Sequence, residues 1–313
     1  MQHTQHSEFL SVADYHLHLR VLEPMQPCQG VVLMLHGAIE NGRIFYSAQG
    51  RGLGCFLADH GYRVYCVDFA GRGLSKPHVR QGFQQSQWQM IAEDIPTLIT
   101  SLSERHQQPL HLMAHSWGGV VALAALIRRP TLQSKVRSQC YFGSKRQIQV
   151  RSWQKTLTID WIWNRLAPSL AKRYGYLPAR RFRLGADDEP QHYLHDTICW
   201  IQQPQFVDPT DGFDYGASAK TLRWMPTRFY AGSKDRVLGH PADVRRLMAE
   251  TGLAEASYCL LSKEHGFAHD YGHIDMLTHP SAPKDHFQGL LAWLSDPHLN
   301  SESVSQSEHQ PRA

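Results

Sequence analysis

The sequence predicts an α/β protein: a mainly parallel central sheet with helices on both faces and an inserted helical cap. Three observations carry this. Short, continuous apolar runs recur along the chain, the first being Val31-Val32-Leu33-Met34-Leu35, and such runs fit strands covered on both faces. Segments with apolar residues at helical spacing separate them, giving the strand–helix beat of a parallel sheet. One long stretch, from about Lys145 to Arg223, breaks that beat and reads as an insertion between two strands.

Taken in order, Phe9 to Glu23 alternates, with Tyr15, Leu17, Leu19 and Val21 on one side and His16, His18 and Arg20 on the other. That period predicts half-buried antiparallel strands. After the run at Val31 to Leu35, further strands are expected at Arg63 to Val67, Leu110 to Ala114, Val136 to Phe142, Thr227 to Ala231 and Ser257 to Leu261. Between them, Trp88 to Leu102 puts Ile91, Ile95, Leu98, Ile99 and Leu102 on one helical face. Val120 to Ile127 is apolar nearly all round, which predicts a buried helix, and Asp243 to Ala249 and His286 to Leu294 complete the set. The insertion holds four of the eight tryptophans, and its stretch Trp153 to Leu170 has helical spacing that stops near Pro168. The expected organisation is a discontinuous core, 1–144 and 224–296, a helical cap at 145–223, and a polar C-terminal tail at 297–313.

Composition narrows the function classes. Of 313 residues, 42% are apolar and 19% charged, and the net charge is only +4 with no block of five or six like charges, so nucleic acid is not an implied partner. The six cysteines are scattered without a C-x-x-C pair, which predicts reduced thiols rather than a disulfide framework or a zinc site. The first residues, Met1 to His6, lack the basic start and apolar core of a signal peptide, and no apolar run approaches the ~18 residues of a membrane span. A soluble, cytoplasmic protein is expected.

Chemistry concentrates at Ala114-His115-Ser116-Trp117-Gly118-Gly119, between an apolar run and the buried helix. A tight strand-to-helix turn strains the residue at its apex, and small neighbours two positions away keep side chains from colliding there. The apex serine then projects above the sheet beside helix-terminal N–H groups that favour developing negative charge. This segment resembles the nucleophile elbow, G-x-S-x-G, of the α/β-hydrolase fold serine hydrolases, with Ala114 in place of the first glycine. His36-Gly37-Ala38 resembles that family's H-G-x loop, and Asp68-Phe69-Ala70-Gly71-Arg72-Gly73-Leu74-Ser75 its D-x-x-G-x-G-x-S turn. The latter lacks the G-K-S/T ending of a phosphate loop, and no cofactor is implied.

The resemblance implies a Ser-Asp-His triad in that chain order. Ser116 is the nucleophile and Asp235, in Gly232-Ser233-Lys234-Asp235-Arg236-Val237, the acid. His273, in Gly272-His273-Ile274-Asp275, is the base, with His265 as its rival. The backbone N–H groups of Ala38 and Trp117 are the expected oxyanion hole, Ile39 being the alternative to Ala38, and His36 is expected to brace its loop. His265, His269 and His273 recur at intervals of four, but Gly266 and Gly272 interrupt a helix and no H-E-x-x-H pattern exists, so no metal is expected. Asp243 reads as a surface helix cap, and Asp275 as a cap or a loop-orienting group.

The resemblance points to monoacylglycerol lipase-like and lysophospholipase-like hydrolases, including the serine aminopeptidase group. The expected partner is a small-molecule ester with an apolar acyl group lodged among the aromatic residues of the cap. Aminopeptidase, thioesterase and acyltransferase chemistry are the alternatives, followed by a non-catalytic ligand-binding protein. An aminopeptidase needs cap carboxylates for a free amine, and Asp187, Asp188 and Glu189 form the one cluster. These three are otherwise read as offsetting a solvated face at Arg180, Arg181 and Arg183. An exposed face at Trp153, Trp161 and Trp163 would suit a lipid surface or a dimer, although Trp161 and Trp163 are too close in sequence to share one helical stripe.

Overall fold

A computed structural model describes residues 1–297; the tail at 297–313 lies outside the described residues apart from Pro297. Eight strands form one sheet: β1 (His3–Val12), β2 (Tyr15–Pro24), β3 (Gly30–Leu35), β4 (Tyr62–Asp68), β5 (Leu110–His115), β6 (Val136–Phe142), β9 (Thr227–Gly232) and β10 (Ser257–Leu261). A separate pair, β7 (Tyr176–Leu177) and β8 (Glu189–Pro190), belongs to the insertion. The order across the sheet is β1-β2-β4-β3-β5-β6-β9-β10. Only the β1–β2 and β2–β4 pairs are antiparallel, so the sheet is mainly parallel as the apolar runs predict. Ala13 turns the β1–β2 hairpin with φ 47°.

Every residue of β3, β5 and β9 is buried, because one apolar layer covers each face. On one side the helix Ile95–His106 and the helix Trp117–Arg128, apolar up to its last residue, pack on Leu33, Leu112 and Phe229. On the other, the helices Leu53–Asp59 and His286–Ser295 pack on Val32, Met113 and Tyr230. β2 departs from simple alternation at His18, which is fully buried because Asp68 Oδ2 and Ser7 Oγ, each at 2.8 Å, satisfy both ring nitrogens.

Pro168 does not end the helix of the insertion. Helical backbone runs from Trp153 to Tyr174, wide and π-helical over Thr156–Leu166, and Pro168 opens the next stretch, Ala167–Tyr174. A proline is tolerated where the preceding turn has already given up regular hydrogen bonding. Trp153 (73% exposed) and Trp161 (57%) point outward with Leu157, whereas Trp163 turns inward, so the three tryptophans do not form one face. Trp200 is core, packed edge-on to Phe206 and Tyr215. Among the described residues no helix is long and apolar enough to cross a membrane.

The acidic cluster is not a solvated face. Asp187, Asp188 and Glu189 are all buried, each against donors of the core. Asp187 accepts from Asn41 Nδ2 (2.8 Å) and the Gly73 amide (2.7 Å). Asp188 pairs with Arg80 at 2.6 Å, and Glu189 pairs with Arg72. Arg180, Arg181 and Arg183 are exposed, and Asp188 meets Arg180 only through its backbone amide, at 3.0 Å, while its side-chain partner is Arg80.

Candidate active site

Parallel strands deliver their loops to one edge, where crevices form beyond the carboxyl ends. β5 ends at His115, and Ser116 follows at φ 52°, ψ −126°, before the helix Trp117–Arg128 begins. A positive φ on a non-glycine residue is strained, and tight surroundings must hold it. They do: the Ser116 amide donates to the Phe142 carbonyl on β6, and a Cβ on Gly118 would lie 2.4 Å from the His36 oxygen.

Asp235 lies in the loop after β9, and His273 in the loop between Tyr271 and the short helix Asp275–Thr278. Asp275 orients this loop by accepting the Gly272 amide hydrogen. The fold brings Ser116, Asp235 and His273 together. His273 Nε2 is 2.9 Å from Ser116 Oγ, and His273 Nδ1 is 2.5 Å from Asp235 Oδ2. His265 is turned elsewhere, bonded through Nδ1 to Ser262 Oγ at 2.7 Å, and His269 stacks on His279. Among the described residues no group of three or more His, Cys, Asp or Glu could hold a metal ion.

Electrostatics differentiates the pair. Burial works to raise the Asp235 pKa, but the charge and hydrogen bond of His273 overcome it and hold the carboxyl down to about 2. Burial lowers the pKa of His273 more than Asp235 raises it, so the imidazole is neutral near pH 7 and free to accept a proton at Nε2.

Beside Ser116, the loop after β3 presents backbone amides. His36 is fully buried and braces it, with Nδ1 donating to the Gly37 oxygen at 2.8 Å and Nε2 accepting from the Phe69 amide at 3.1 Å. The Ile39 amide is engaged by Glu189, and the Ile39 carbonyl accepts from the Asp187 amide at 3.0 Å. The Ala38 and Trp117 amides donate to no acceptor among the described residues. Such uncommitted N–H groups near a helix N-terminus suit developing negative charge.

A cavity of about 610 Å³ opens over Ser116 and His273, and its walls are largely apolar, with Ile148, Ile159, Trp163, Leu184 and Ile201 among them. All five come from the inserted segment. Two polar groups on its wall, Glu40 and Lys145, were not singled out from sequence; each looks like an ordinary charged residue in a loop, and only tertiary structure brings them beside Ser116. Asp243 is also not the surface cap expected. It is buried and accepts the Gln149 amide at 3.2 Å, fixing the start of the insertion to the helix Pro241–Glu250.

Comparison with known proteins agrees with this geometry at the level of family and fold. Residues 26–271 match the family model Hydrolase_4, described as serine aminopeptidase, S33. A search of curated proteins finds no match. Among solved structures, the chain is similar to a soluble variant of monoglyceride lipase from Saccharomyces cerevisiae in complex with a substrate analogue. The TM-score is 0.65 at 16% identity, covering 93% of this chain and 94% of that one. It is also similar to a monoacylglycerol lipase from Paleococcus ferrophilus (TM-score 0.55, 16% identity, 90% and 99% covered). A thermophilic esterase from Thermogutta terrifontis gives a TM-score of 0.58 at 15% identity, with 94% and 99% covered. Such low identities speak to fold, and the family match spans most of the chain: the protein belongs to the Hydrolase_4 family and has the α/β-hydrolase fold.

Proposed function

We propose that the protein is a serine hydrolase that cleaves a carboxylic ester through an acyl-enzyme on Ser116. The observation that carries this reading is the hydrogen-bonded line from Asp235 through His273 to Ser116. Ser116 Oγ attacks the ester carbonyl while His273 Nε2 takes its proton, and Asp235 stabilises the imidazolium that results. The Ala38 and Trp117 amides receive the oxyanion. His273 then gives the proton to the departing alcohol, and water, deprotonated by His273, releases the acid and restores Ser116. The segment 145–223 is the cap on a core of 1–144 and 224–296, and the apolar cavity beneath it receives the acyl group.

The aminopeptidase alternative finds little support in the side chains present. Asp187, Asp188 and Glu189, the cap carboxylates it would use for a free amine, are each committed to a donor in the core.

Fluorophosphonate labelling followed by peptide mass spectrometry tests the reading. The expected adduct is on Ser116 and is lost in Ser116→Ala and His273→Ala. Loss in His265→Ala alone would move the base to that residue. No adduct in folded protein would overturn the hydrolase reading and favour a ligand-binding protein.

A further inference from the structure

We propose that Lys145 is an anion subsite within the Ser116 cavity, and that the substrate is therefore an ester bearing a carboxylate or phosphate beside its apolar arm. This rests on the hydrolase reading for the word ester, and on Lys145 alone for the anion.

The topology places the lysine. Lys145 follows β6 by two residues, and β6 lies between β5, which carries Ser116, and β9, which carries Asp235. Gly143, at the start of this turn, abuts the base, since a Cβ there would lie 2.9 Å from His273 Nδ1. The side chain therefore enters the cavity wall together with Ser116 and His273.

What distinguishes Lys145 is that it is deeply buried and unpartnered. It is 5% exposed, yet among the described residues it makes no hydrogen bond and no ion pair. Two other deeply buried cations are each paired with a carboxylate: Arg72 with Glu189, and Arg146 with Glu250 and with the carbonyls of Trp200, Gln203 and Pro204. The carboxylates that attract Lys145 are Asp235, Glu40 and Asp243. Each is spent elsewhere: Asp235 on His273, Glu40 on His115 and the Gly37 amide, Asp243 on Arg246 and the Gln149 amide. They favour the ammonium without satisfying its donors.

An ammonium on an apolar wall is costly unless an anion meets it. Burial pulls the Lys145 pKa down to about 8 against the pull of Asp235, Glu40 and Asp243, which registers that cost. A carboxylate or phosphate oxygen would accept the hydrogen bonds that the protein leaves unmade. The rest of the cavity agrees in sign. Arg43 and Arg183, both exposed, also line it, and its one carboxylate, Glu40, is already paired.

The test compares matched esters, 4-nitrophenyl hydrogen glutarate and its neutral methyl ester, on wild type, Lys145→Met and Lys145→Gln. The glutamine variant keeps a polar end and controls for a packing defect. The ratio of kcat/KM, anionic over neutral, is expected to fall about tenfold or more in both variants. A second arm does not depend on turnover: titration calorimetry of octyl phosphate and octanol against Ser116→Ala, with and without Lys145→Met. There the affinity ratio, phosphate over alcohol, is expected to fall by a similar factor. Loss in the glutarate arm assigns a carboxylate, and loss in the phosphate arm assigns a phosphate. Ratios unchanged in both arms overturn the subsite. If fluorophosphonate fails to label Ser116, the hydrolase reading falls and calorimetry still decides the role of Lys145.

Discussion

His115, the residue before Ser116, donates from Nε2 to the backbone oxygen of His273 at 3.0 Å. Its other nitrogen faces Glu40 Oε2 at 2.9 Å, so both ring nitrogens meet acceptors, an arrangement that favours the imidazolium form. Burial opposes that charge, but Glu40 prevails and raises the His115 pKa. In return, against its own burial, Glu40 is held down to about 2, chiefly by His115. One buried ion pair thus joins the loop after β3, the end of β5 and the loop that carries His273.

Replacing Glu40 by Gln should reveal this pair in the pH dependence of stability. His115 gains protons on folding, so its contribution is full below the unfolded histidine pKa and is lost as pH rises through the raised folded value. Glu40 contributes above the unfolded glutamate pKa, and that share is lost as pH falls toward about 2. Glu40→Gln is expected to cost about 3–5 kcal/mol near pH 6, shrinking toward alkaline pH. Urea unfolding at several pH values checks it; a constant difference would show that the charge is not the source.

Asp235→Asn should separate chemistry from binding. The neutral amide leaves His273 without its stabilising charge, so kcat should fall about 10⁴-fold with little change in KM. Burial already lowers the His273 pKa, which puts the acid limb of kcat/KM below the ordinary histidine value. Because Asp235 opposes that lowering, its removal should move the limb to still lower pH. A limb that moved upward would contradict this assignment of charge.

Local pattern made the sheet and the elbow legible in the sequence. Val31 to Leu35 is an unbroken apolar run, and Leu110 to Ala114 is apolar but for the buried His111, because both faces of β3 and β5 are covered; β5 itself ends at His115, next to Ser116. The Glu40–His115 pair was illegible, because its members are 75 residues apart and either alone reads as a loop charge. Asp187-Asp188-Glu189 misled for the opposite reason. Three adjacent acids look solvated, yet their side chains reach three separate donors, Asn41, Arg80 and Arg72, contributed by two core loops. Lys145 marked only the start of the insertion; its missing partner shows only when the cavity wall is assembled.

Glu189→Gln should act on stability before specificity. Glu189 is fully buried, and burial raises its pKa despite Arg72, so the pair bears a large desolvation cost. Removing one charge leaves Arg72, stacked 4.4 Å from the Tyr193 ring centroid, without its counter-ion. The expected loss is about 3–5 kcal/mol. Because Glu189 also holds the Ile39 amide, kcat should fall as the neighbouring Ala38 amide loses its position. A selective loss of peptide turnover, with stability intact, would instead favour the aminopeptidase reading.

Gly118→Ala tests why one elbow glycine is replaceable and the other is not. Ala114 occupies the first position with its methyl buried in β5, where a side chain has room. At Gly118 a Cβ would lie 2.4 Å from the His36 oxygen and 2.7 Å from the Leu35 oxygen, both backbone atoms at the end of β3. Backbone in a central strand cannot yield as a side-chain tip can, so the helix must move away from the loop that carries Ala38. The expected cost is about 1–3 kcal/mol, with a fall in kcat because the Ala38 and Trp117 amides are driven apart. Ala114→Gly should cost only about 1 kcal/mol and spare kcat. Thermal unfolding and ester turnover of the two variants decide the matter: equal losses would mean that close approach at Gly118 does not hold the elbow against β3.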